Sequence, residues 1–515
     1  MDLRALLTGV DAPSVVGDAA RQVTGIAYHT RDVRPGFLFA ALRGVVHDGL
    51  AFVDEAIARG ATAILADREL ASAGGRARLV RDGVTFVRVG DARRALAQVS
   101  AAFYEQPSQR LRLIGVTGTN GKGATTYLIE AILRRAGRRC GIIGTMGVVI
   151  DGQVYPSERT TPEAPDFQRV LRTMADQGCD YVATEVASHA LVLERVSGCR
   201  VGVGVFTNLT RDHLDFHLSM EAYRAAKARF FSMVEPAGWA VLNADDPAAV
   251  VMRAATRARV MTYGLSPSAE VRGSDLALHL RGSEFVAHTP AGTARIALRL
   301  TGAFNVANAL AALAVGLTQE VPLPTIAEAL AEMPGIPGRF ESVEEGQPFA
   351  VVVDYAHTPD GLENVLRAAR EITAGRLIAV FGCGGDRDRT KRPMMGRIAA
   401  QWADHVIVTS DNPRTEDPRA IIDEIRPGVD DGRAGRDVRV EIEPDRRRAI
   451  GIAVSNAGAG DLVLIAGKGH EPYQEIGGVR HPFDDRQVVR EALRDMLASR
   501  PRQPGHAAVQ SPGLS

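Results

Sequence analysis

The sequence predicts an α/β protein of about three domains, in which parallel strands alternate with helices. Its 515 residues, 45% of them apolar, are sufficient for several separate hydrophobic cores. Short apolar segments alternate with helical patterns along most of the chain. One such segment, residues 113–117, runs into a glycine-rich turn and then into a helical pattern. That order of elements is typical of a nucleotide-binding sheet.

The first region, residues 1–108, is predicted to be a small α/β domain. Apolar segments at 37–42, 63–66 and 85–89 predict strands, and the pattern at 52–59 predicts a helix. The polar stretch 105–108, which contains a proline, predicts the end of this domain.

The central region, residues 109–335, repeats strand then helix. Strand-like runs follow the glycine-rich turn at 140–143, 180–184, 201–206 and 239–242. This alternation predicts a parallel-sheet, nucleotide-binding core.

A turn-rich stretch at 333–339 separates a third α/β region, residues 336–498. Its predicted strands are 349–354, 377–381, 405–409 and 462–466. Residues 499–515 are rich in proline, glycine and small side chains, which predicts a disordered tail.

The glycine-rich turn of the central region predicts ATP binding. Glycine lets backbone N–H groups converge on phosphate oxygens, the helix N-terminus adds partial positive charge, and Lys122 adds a full charge. The turn departs from the common phosphate-loop spacing at Val116 and Gly123, and Gly123 removes the hydroxyl that usually binds magnesium. A glycine-rich turn without a ligand is the alternative, but it leaves Lys122 unexplained. The predicted nucleotide-binding residues are Gly118, Thr119, Asn120, Gly121, Lys122, Gly123 and Ala124.

Two polar clusters follow further strands of the central region. One, at 184–189, contains Glu185, and the other, at 207–217, contains His213. Open α/β sheets bind ligands at the carboxyl ends of their strands, so we expect both side chains to hold Mg²⁺ beside the phosphates. A capping or surface role is the alternative for each residue alone.

The third region repeats this pattern at 351–357, 381–388 and 465–471. Between these segments, Arg414 offers a planar fork suited to a carboxylate, and Arg387 offers a second. A solvated loop arginine is the alternative for either one. Together with Asn412 and Glu471, the two arginines predict a pocket for a zwitterion, with cations for carboxylates and an acid for an ammonium.

Composition excludes several classes of function. Lysine plus arginine equals aspartate plus glutamate, at 61 each, so we expect small-molecule partners and neither nucleic acid nor an anionic membrane. The four cysteines lack C-x-x-C spacing, which argues against zinc or disulfides and for a reducing compartment. The N-terminus has no signal-peptide pattern and no run of about 18 apolar residues occurs, so we expect a cytoplasmic protein without membrane insertion.

These motifs resemble those of the Mur ligases to about residue 497, most closely members that add the third amino acid of the peptidoglycan peptide. The resemblance rests on the segments 118–122, 185–191, 207–215, 242–247, 354–359, 381–393 and 465–474. It implies a three-domain fold: an N-terminal domain for the UDP end of the substrate, a central P-loop ATPase and a C-terminal, Rossmann-like domain for the amino acid. We expect the last two domains to close about residues 335–338.

The resemblance implies a monomeric, Mg²⁺-dependent ligase that uses ATP. It would join meso-diaminopimelate to UDP-N-acetylmuramoyl-L-alanyl-D-glutamate through an acyl phosphate during peptidoglycan precursor synthesis. The residues implied for ATP are Asn305, Arg339, Asp354 and His357 in addition to the turn, and those for the metal are Glu185, His213 and a carbamylated Lys227. The residues implied for the UDP substrate are Thr30, His47, Asp48, Gly49, Thr160, Thr161, Ala187 and Arg195. Those implied for diaminopimelate are Arg387, Asp411, Asn412, Pro413, Arg414, Gly467 and Glu471.

The sequence departs from the family pattern at three positions. Gly123 replaces a threonine or serine, Ala187 replaces the first serine of its motif, and Thr30 stands where serine is usual. Thr125, Thr126 or water could replace the missing hydroxyl. The alternatives are a ligase for L-lysine or another diamino acid, folate polyglutamylation, and an inactive homologue that binds its ligands without turnover. Arg414 argues against lysine, which lacks a second carboxylate.

Overall fold

The computed structural model describes residues 1–44, 47–69 and 83–499. These form two compact units. The first comprises 1–277, 282–299 and 303–334, and the second comprises 278–281, 300–302 and the chain from 335 onward. Residue 499 ends the last described helix, and the rest of the predicted tail lies outside the described residues. The domain limits at 108 and 335 remain a proposal.

The N-terminal part of the first unit contains a five-stranded sheet within its described residues, in the order β1-β5-β4-β3-β2. The strands are β1 Ser14–Val16, β2 Gly25–Ala27, β3 Phe37–Ala40, β4 Ala63–Ala66 and β5 Thr85–Arg88. All neighbours pair in parallel except β1, which is antiparallel to β5. Leu38 and Leu65 pack into one apolar cluster and Phe39 and Ile64 into another, as alternation along strands buried on both faces requires.

The other sheet of the first unit has eleven strands in the described chain, in the order β16-β15-β14-β13-β12-β11-β6-β10-β7-β8-β9. The strands are β6 Arg112–Thr117, β7 Cys140–Gly144, β8 Gly147–Ile150, β9 Gln153–Tyr155, β10 Tyr181–Glu185, β11 Val201–Phe206, β12 Val234–Asn243, β13 Arg259–Gly264, β14 Val271–His279, β15 Gly282–Thr289 and β16 Gly292–Leu298. Strands β14 to β7 in this order are parallel, as predicted, whereas β8, β9 and the pair β15–β16 add antiparallel hairpins.

Helices cover both sheets of this unit. They are Leu3–Leu6, Val53–Ala58, Ala92–Phe103, Lys122–Arg135, Ala164–Asp176, Ser188–Val192, Leu214–His217, Met220–Ser232, Ala249–Ala255, Ala303–Thr318 and Leu323–Glu332. Short 3₁₀ turns are Thr30–Asp32, Gly49–Phe52 and Pro107–Gln109. The hydroxyl of Tyr28, beyond β2, donates to Asp166 on a central helix at 2.7 Å, which ties the two parts of the unit together.

The register of the central strands aligns three loops at one edge. Glu185, the last residue of β10, lies beside Val116 of β6, and Phe206, the last residue of β11, lies beside Thr117. The loops that follow these three strands therefore leave the sheet together, and they contain the predicted phosphate-loop and metal residues.

The second unit is built on a six-stranded sheet in its described part, in the order β17-β18-β22-β19-β20-β21, with a separate hairpin. The strands are β17 Glu341–Ser342, β18 Ala350–Asp354, β19 Leu377–Phe381, β20 His405–Val408, β21 Arg439–Ile442 and β22 Leu462–Ala466, and the hairpin is β23 Tyr473–Ile476 with β24 Val479–Pro482. Within the described six-stranded sheet only β17 is antiparallel to its neighbour, and the two strands of the hairpin are antiparallel to each other. The helices are Pro359–Ile372, Lys391–Trp402, Pro418–Gly432, Arg446–Asn456 and Asp485–Ser499. Among the described residues, no helix combines the length and the apolar character needed to cross a membrane.

Candidate active site

The glycine-rich turn joins β6 to the helix Lys122–Arg135, and two of its glycines cannot be replaced without a clash. A Cβ at Gly118, where φ is +156°, would lie 1.8 Å from Thr207 Oγ1. At Gly121, where φ is +83°, a Cβ would lie 2.3 Å from Asn308 Oδ1. Only glycine combines these angles with such close neighbours, so the turn keeps its backbone open to a ligand.

The loop after β11 holds this turn from one side. Thr207 Oγ1 donates to the Asn120 carbonyl at 2.6 Å, and the Asn120 N–H donates to Asn208 Oδ1 at 2.8 Å. The Thr119 N–H donates to the Asn208 carbonyl at 2.9 Å. The two strand-end loops therefore form one bonded structure.

Two lysines meet at the carbonyl of Gly118. Lys122 Nζ donates to it at 3.1 Å and to the Thr119 carbonyl at 2.8 Å, while Lys227 Nζ donates to Gly118 at 2.7 Å. Lys227 is 1% exposed, and its Nζ lies 4.5 Å from the centre of the Tyr223 ring. Burial, reinforced by the charge of Lys122, lowers the pKa of Lys227 well below its usual value. The burial of Lys227 beside the glycine-rich turn therefore favours its uncharged amine form.

The first turn of the helix shows how the hydroxyls near Gly123 are used. Thr126 Oγ1 donates to the Gly123 carbonyl at 2.8 Å, and Thr125 Oγ1 lies 3.4 Å from Asn308 Oδ1. Both threonines are fully buried. In this arrangement neither hydroxyl takes the place of the one that Gly123 lacks.

Glu185 has its carboxylate fixed at the end of β10. Its Oε1 accepts the N–H of Thr145 at 2.7 Å, and the neighbouring Gly144 leaves room for it, since a Cβ there would lie 2.4 Å from Oε1.

His213 lies in the loop after β11, with a positive φ of 53°. Its ring is 4.7 Å from that of His189, edge to face, and its Nε2 is 3.3 Å from Asp212 Oδ2. Burial, together with the nearby charges of His189, Lys122 and Lys227, lowers the pKa of His213 to about 3. The imidazole is therefore neutral at pH 7, and a neutral imidazole keeps one ring nitrogen unprotonated, which is the form that binds metal ions.

The donors present suit a magnesium ion shared with a nucleotide. Among the described residues, no three His, Cys, Asp or Glu side chains are grouped as a metal site. Glu185 and His213 offer one carboxylate and one imidazole. Mg²⁺ in nucleotide sites is commonly held by one or two carboxylates, with phosphate oxygens and waters completing its shell. The Glu185 carboxylate therefore fits that group, and the His213 imidazole offers one further donor.

Four of the residues predicted for the UDP substrate surround the backbone of Glu185. Thr161 Oγ1 donates to the Glu185 carbonyl at 2.8 Å and accepts the Ala187 N–H at 3.1 Å. Arg195 donates to the Thr161 carbonyl at 3.1 Å. Thr160 Oγ1 lies 3.1 Å from the hydroxyl of Thr145, the residue whose N–H donates to the Glu185 carboxylate.

The other four lie in loops and turns of the N-terminal part of this unit. Thr30 begins a 3₁₀ turn after β2, and His47 is exposed. Asp48 caps the turn Gly49–Phe52 and is paired with Arg68 at 2.8 Å, whose hydrogen bonds lower the pKa of the Asp48 carboxyl. Gly49 is required by close packing, because a Cβ there would lie 2.6 Å from the backbone of Leu42.

In the second unit, the predicted amino-acid pocket is organised around Asn412, which follows β20. Asn412 Nδ2 donates to Glu471 Oε2 at 2.9 Å, and Asn412 Oδ1 accepts Lys468 Nζ at 3.0 Å. Gly467 is needed here, since a Cβ would lie 2.4 Å from Asp411 Oδ2. Burial alone would raise the pKa of Asp411, but the charges of Lys468 and Arg446 lower it below its usual value.

The two predicted arginine forks differ in how firmly they are held. Arg414, beyond Pro413, donates from Nη1 to the Gly385 carbonyl at 2.6 Å, and its Nε lies 3.8 Å from Glu475. Arg387 is exposed, and its Nη1 donates to the Asp386 carbonyl at 3.0 Å. Arg414 is thus the ordered cation of the pocket.

The remaining residues predicted for ATP fall on both units. In the first, Asn305 is buried in the helix Ala303–Thr318 and accepts the Asn308 amide at 3.2 Å. In the second, Asp354 ends β18 and accepts two backbone N–H groups at 2.7 Å, and its burial raises the pKa of the carboxyl. The Arg339 guanidinium lies 4.6 Å from the centre of the Tyr355 ring, and the His357 ring lies 4.6 Å from the same ring.

Sequence models of three domains match most of the chain. They are described as "Mur ligase family, catalytic domain" at residues 22–104, "Mur ligase middle domain" at 116–316, and "Mur ligase, glutamate ligase domain" at 338–469. A relative from Bacillus licheniformis, named UDP-N-acetylmuramoyl-L-alanyl-D-glutamate--2,6-diaminopimelate ligase, is 44% identical over 96% of this chain and 100% of its own length. A relative of the same name from Geobacillus thermodenitrificans is 46% identical over 96% and 100%.

The chain belongs to the Mur ligase family.

Solved structures agree with this assignment. One named as the same diaminopimelate ligase has a TM-score of 0.67 at 35% identity, over 96% of this chain and 99% of that chain. Two others share the fold at lower identity: MurF ligase from Thermotoga maritima in complex with ADP, at a TM-score of 0.60 and 18% identity over 92% of this chain and 97% of that chain, and folylpolyglutamate synthase from Mycobacterium tuberculosis complexed with ADP and AMPPCP, at 0.61 and 19% over 80% and 96%. The three-domain α/β architecture predicted for a Mur ligase is confirmed.

Several residues that shape the site of this Mur ligase were not predicted. Lys468 bridges Asn412 and Glu471, and Arg446 forms a fully buried pair with Asp485 at 2.7 Å. In the first unit, the Tyr223 hydroxyl lies 3.1 Å from Thr119 Oγ1. For Lys468, the glycines on both sides were a sequence signal of a role in the site, because they place a cation in a tight turn at the end of a strand.

Proposed function

We propose that this Mur ligase joins diaminopimelate to UDP-N-acetylmuramoyl-L-alanyl-D-glutamate, with hydrolysis of ATP to ADP and phosphate. It is an ATP-dependent amide ligase whose relatives, named for this reaction, match it over nearly their full length. The structural observation that supports the substrate best is the pocket of the second unit. It combines an ordered guanidinium at Arg414, in the loop after β20, with the carboxylate of Glu471, in the loop after β22. A diamino dicarboxylic acid carries ammonium and carboxylate groups, so its binding requires both an anionic and a cationic side chain.

The phosphate loop would perform the first step. Backbone N–H groups of the loop and the Lys122 ammonium bind the terminal phosphates, which requires Lys122 to exchange its two loop carbonyls for phosphate oxygens. The substrate carboxylate then attacks the γ-phosphorus, and the bond to the β-phosphate oxygen breaks. The products are an acyl phosphate and ADP.

The pocket in the second unit would serve the second step. The amino acid enters with its ammonium near Glu471 and a carboxylate near Arg414. Its reacting amine, after losing a proton, attacks the acyl carbon and phosphate leaves. The chain needs no nucleophile of its own for either step, which agrees with the absence of a Ser-His-Asp or Cys-His motif from the sequence.

Glu185 and His213 would hold Mg²⁺ together with the phosphates. When bound, the ion would neutralise charge on the transferring phosphoryl group. Lys227 could supply a further metal ligand, because carbon dioxide reacts with an uncharged amine to give a carbamate anion, and burial lowers the pKa of Lys227 and so favours that form. Carbamylation of Lys227 is part of this proposal, as are a cytoplasmic location, a monomeric state and the absence of nucleic-acid or membrane partners.

The assay that tests this function is phosphate release with ATP, Mg²⁺ and the UDP-linked dipeptide, in the presence of meso-diaminopimelate or L-lysine, with product masses. We expect phosphate and ligated product with diaminopimelate only. Product with lysine would contradict the assignment to Arg414. Binding of ATP without product from either amino acid would establish an inactive homologue, in which Gly123 and Ala187 abolish turnover.

A further inference from the structure

We propose that Lys468 is a positioning residue that sets the specificity of the amino-acid pocket. This inference rests on the proposed function and concerns a side chain that does not itself need to touch the substrate. Lys468 follows β22 and is 0% exposed. Its Nζ donates to Asn412 Oδ1 at 3.0 Å and to Glu471 Oε2 at 3.1 Å.

The bonds of Lys468 fix which way the Asn412 amide faces. Asn412 Oδ1 also accepts the Glu475 N–H at 2.9 Å, so two donors hold the oxygen. Asn412 Nδ2 must then face Glu471 Oε2, to which it donates at 2.9 Å. If the amide turned over, its N–H groups would face two donors, which removes three hydrogen bonds at once.

The atoms of Asn412 and Glu471 that these bonds leave over define the surface that would recognise the substrate. Glu471 Oε2 accepts from both Lys468 and Asn412, while Glu471 Oε1 has no hydrogen-bond partner in the described chain. One N–H of the Asn412 amide is also left over. Lys468 thereby leaves an acceptor on Glu471 for an ammonium and a donor on Asn412 for a carboxylate, on two side chains that contact each other.

The net charge of the ionised side chains around Lys468 also favours an ammonium as the ligand. The buried cations Lys468 and Arg446 face the three acids Asp411, Asp485 and Glu471, which leaves one net negative charge. Glu471 is the acid that retains some exposure, with 18% of its side chain accessible. An ammonium bound there would neutralise the cluster, whereas loss of Lys468 would leave two unbalanced acids.

The use of lysine in this chain indicates that geometry as well as charge matters at position 468. Of the 61 basic residues only four are lysine, at positions 122, 227, 391 and 468, and the others are arginine. A guanidinium is planar and wider than an ammonium, so it cannot make the same two short bonds in a fully buried site. We therefore expect arginine to fail at this position.

The experiment compares wild type with Lys468→Met and Lys468→Arg in the ligation assay, with each of the three substrates varied in turn. We expect KM for diaminopimelate to rise about 10- to 100-fold in both variants, as loss of hydrogen bonds between charged groups implies. KM for ATP should stay within about twofold, because the phosphate loop is unchanged. A merely structural role would lower thermal stability without this selective rise in KM.

Arg376→Met is the matched control. Arg376 pairs with Asp461 at 2.7 Å, where the chain enters β22 at its amino end, opposite the pocket. This variant removes an ion pair from the same sheet, and we expect it to leave every KM unchanged.

A second comparison holds even if Lys468→Met does not fold. Glu471→Gln is compared with the double variant Lys468→Met/Glu471→Gln, in which no acid is left at position 471 to be unbalanced. We expect the two to differ by less than about threefold in KM for diaminopimelate, because neighbours in one network are not additive.

The outcomes separate this inference from the proposed function. A wild-type enzyme that forms no product with diaminopimelate overturns the function and the inference with it. An active wild type with an unchanged KM in Lys468→Met, or a Lys468→Arg variant that behaves as wild type, overturns the role of Lys468 and leaves the function in place.

Discussion

Replacing Gly144 with alanine should impair magnesium-dependent catalysis although it replaces no predicted functional side chain. Gly144 ends β7 beside Glu185, and a Cβ at this position would lie 2.4 Å from Glu185 Oε1. Ordinary contact begins at 3.4 Å, so the carboxylate must move by about 1 Å. That movement also weakens its 2.7 Å hydrogen bond from the Thr145 N–H.

The expected magnitude follows from the size of that movement. A misplacement of about 1 Å at a reacting centre can cost about 100-fold in rate, which corresponds to about 2.7 kcal/mol. Folding should be affected little, since the only contact shorter than 3.0 Å is with the end of a side chain and none is with the backbone. The measurement is phosphate release as a function of Mg²⁺ concentration, combined with thermal denaturation. We expect both a higher Mg²⁺ requirement and a lower maximal rate.

Gly141→Ala provides the control on the same strand. Its Cβ would lie 2.7 Å from the end of the buried Met174 side chain, so it disturbs packing away from the site. We expect Gly141→Ala to lower stability and leave the Mg²⁺ dependence unchanged. If Gly144→Ala and Gly141→Ala give the same Mg²⁺ curve as wild type, Glu185 does not hold the metal and the reasoning is wrong.

Three further predictions concern charged groups. Arg414→Lys keeps the charge but loses the fork, and we expect kcat/KM for diaminopimelate to fall about 10- to 100-fold relative to that for L-lysine, measured in paired assays; an unchanged ratio would remove Arg414 from specificity. In Lys227→Met, the free energy of unfolding should exceed that of wild type by more at pH 7 than near pH 10.5, because burial lowers the pKa of native Lys227 below that of the unfolded lysine, so the unfolded state binds more protons over this range; denaturant titrations at several pH values would show a constant difference if the pKa of native Lys227 were not lowered. Arg446→Met should destabilise the protein by about 3–5 kcal/mol, since it leaves Asp485 buried without its partner; a smaller loss in Arg446→Met/Asp485→Asn, measured by denaturation, would confirm the pairing, and an equal loss would contradict it.

The sequence was most informative where a strand is buried on both faces. The run Val201–Phe206 is wholly buried, and its uninterrupted apolar and glycine residues predicted the strand with the same limits. The antiparallel hairpins were missed because their strands lie toward the ends of the sheet and are only partly buried. In β16, Gly292–Leu298, only Ile296 and Leu298 are buried, so no apolar run marks the strand.

For the site, the sequence predicted the loops but not the bonds between them. The end of each parallel strand could be read from the change from apolar to polar residues, which located Glu185, Asn412 and Glu471. Their partners could not be read, because pairs such as Arg446 and Asp485 lie 39 residues apart and meet only in the folded chain. A buried lysine and a surface lysine also look alike in a sequence.

The four lysines of this chain are used in the same way. Each donates to an oxygen in a loop that follows a parallel strand: Lys122 and Lys227 after β6, Lys391 to the His357 carbonyl after β18 at 2.9 Å, and Lys468 to Asn412 Oδ1 after β20. These loops are where ligands of α/β sheets bind, and a compact ammonium can hold their oxygens from within a confined space. Arginine pairs with acids over much of the surface instead, as in the exposed pair of Arg494 with Glu345. In this protein, all four lysines donate to loops that follow parallel strands.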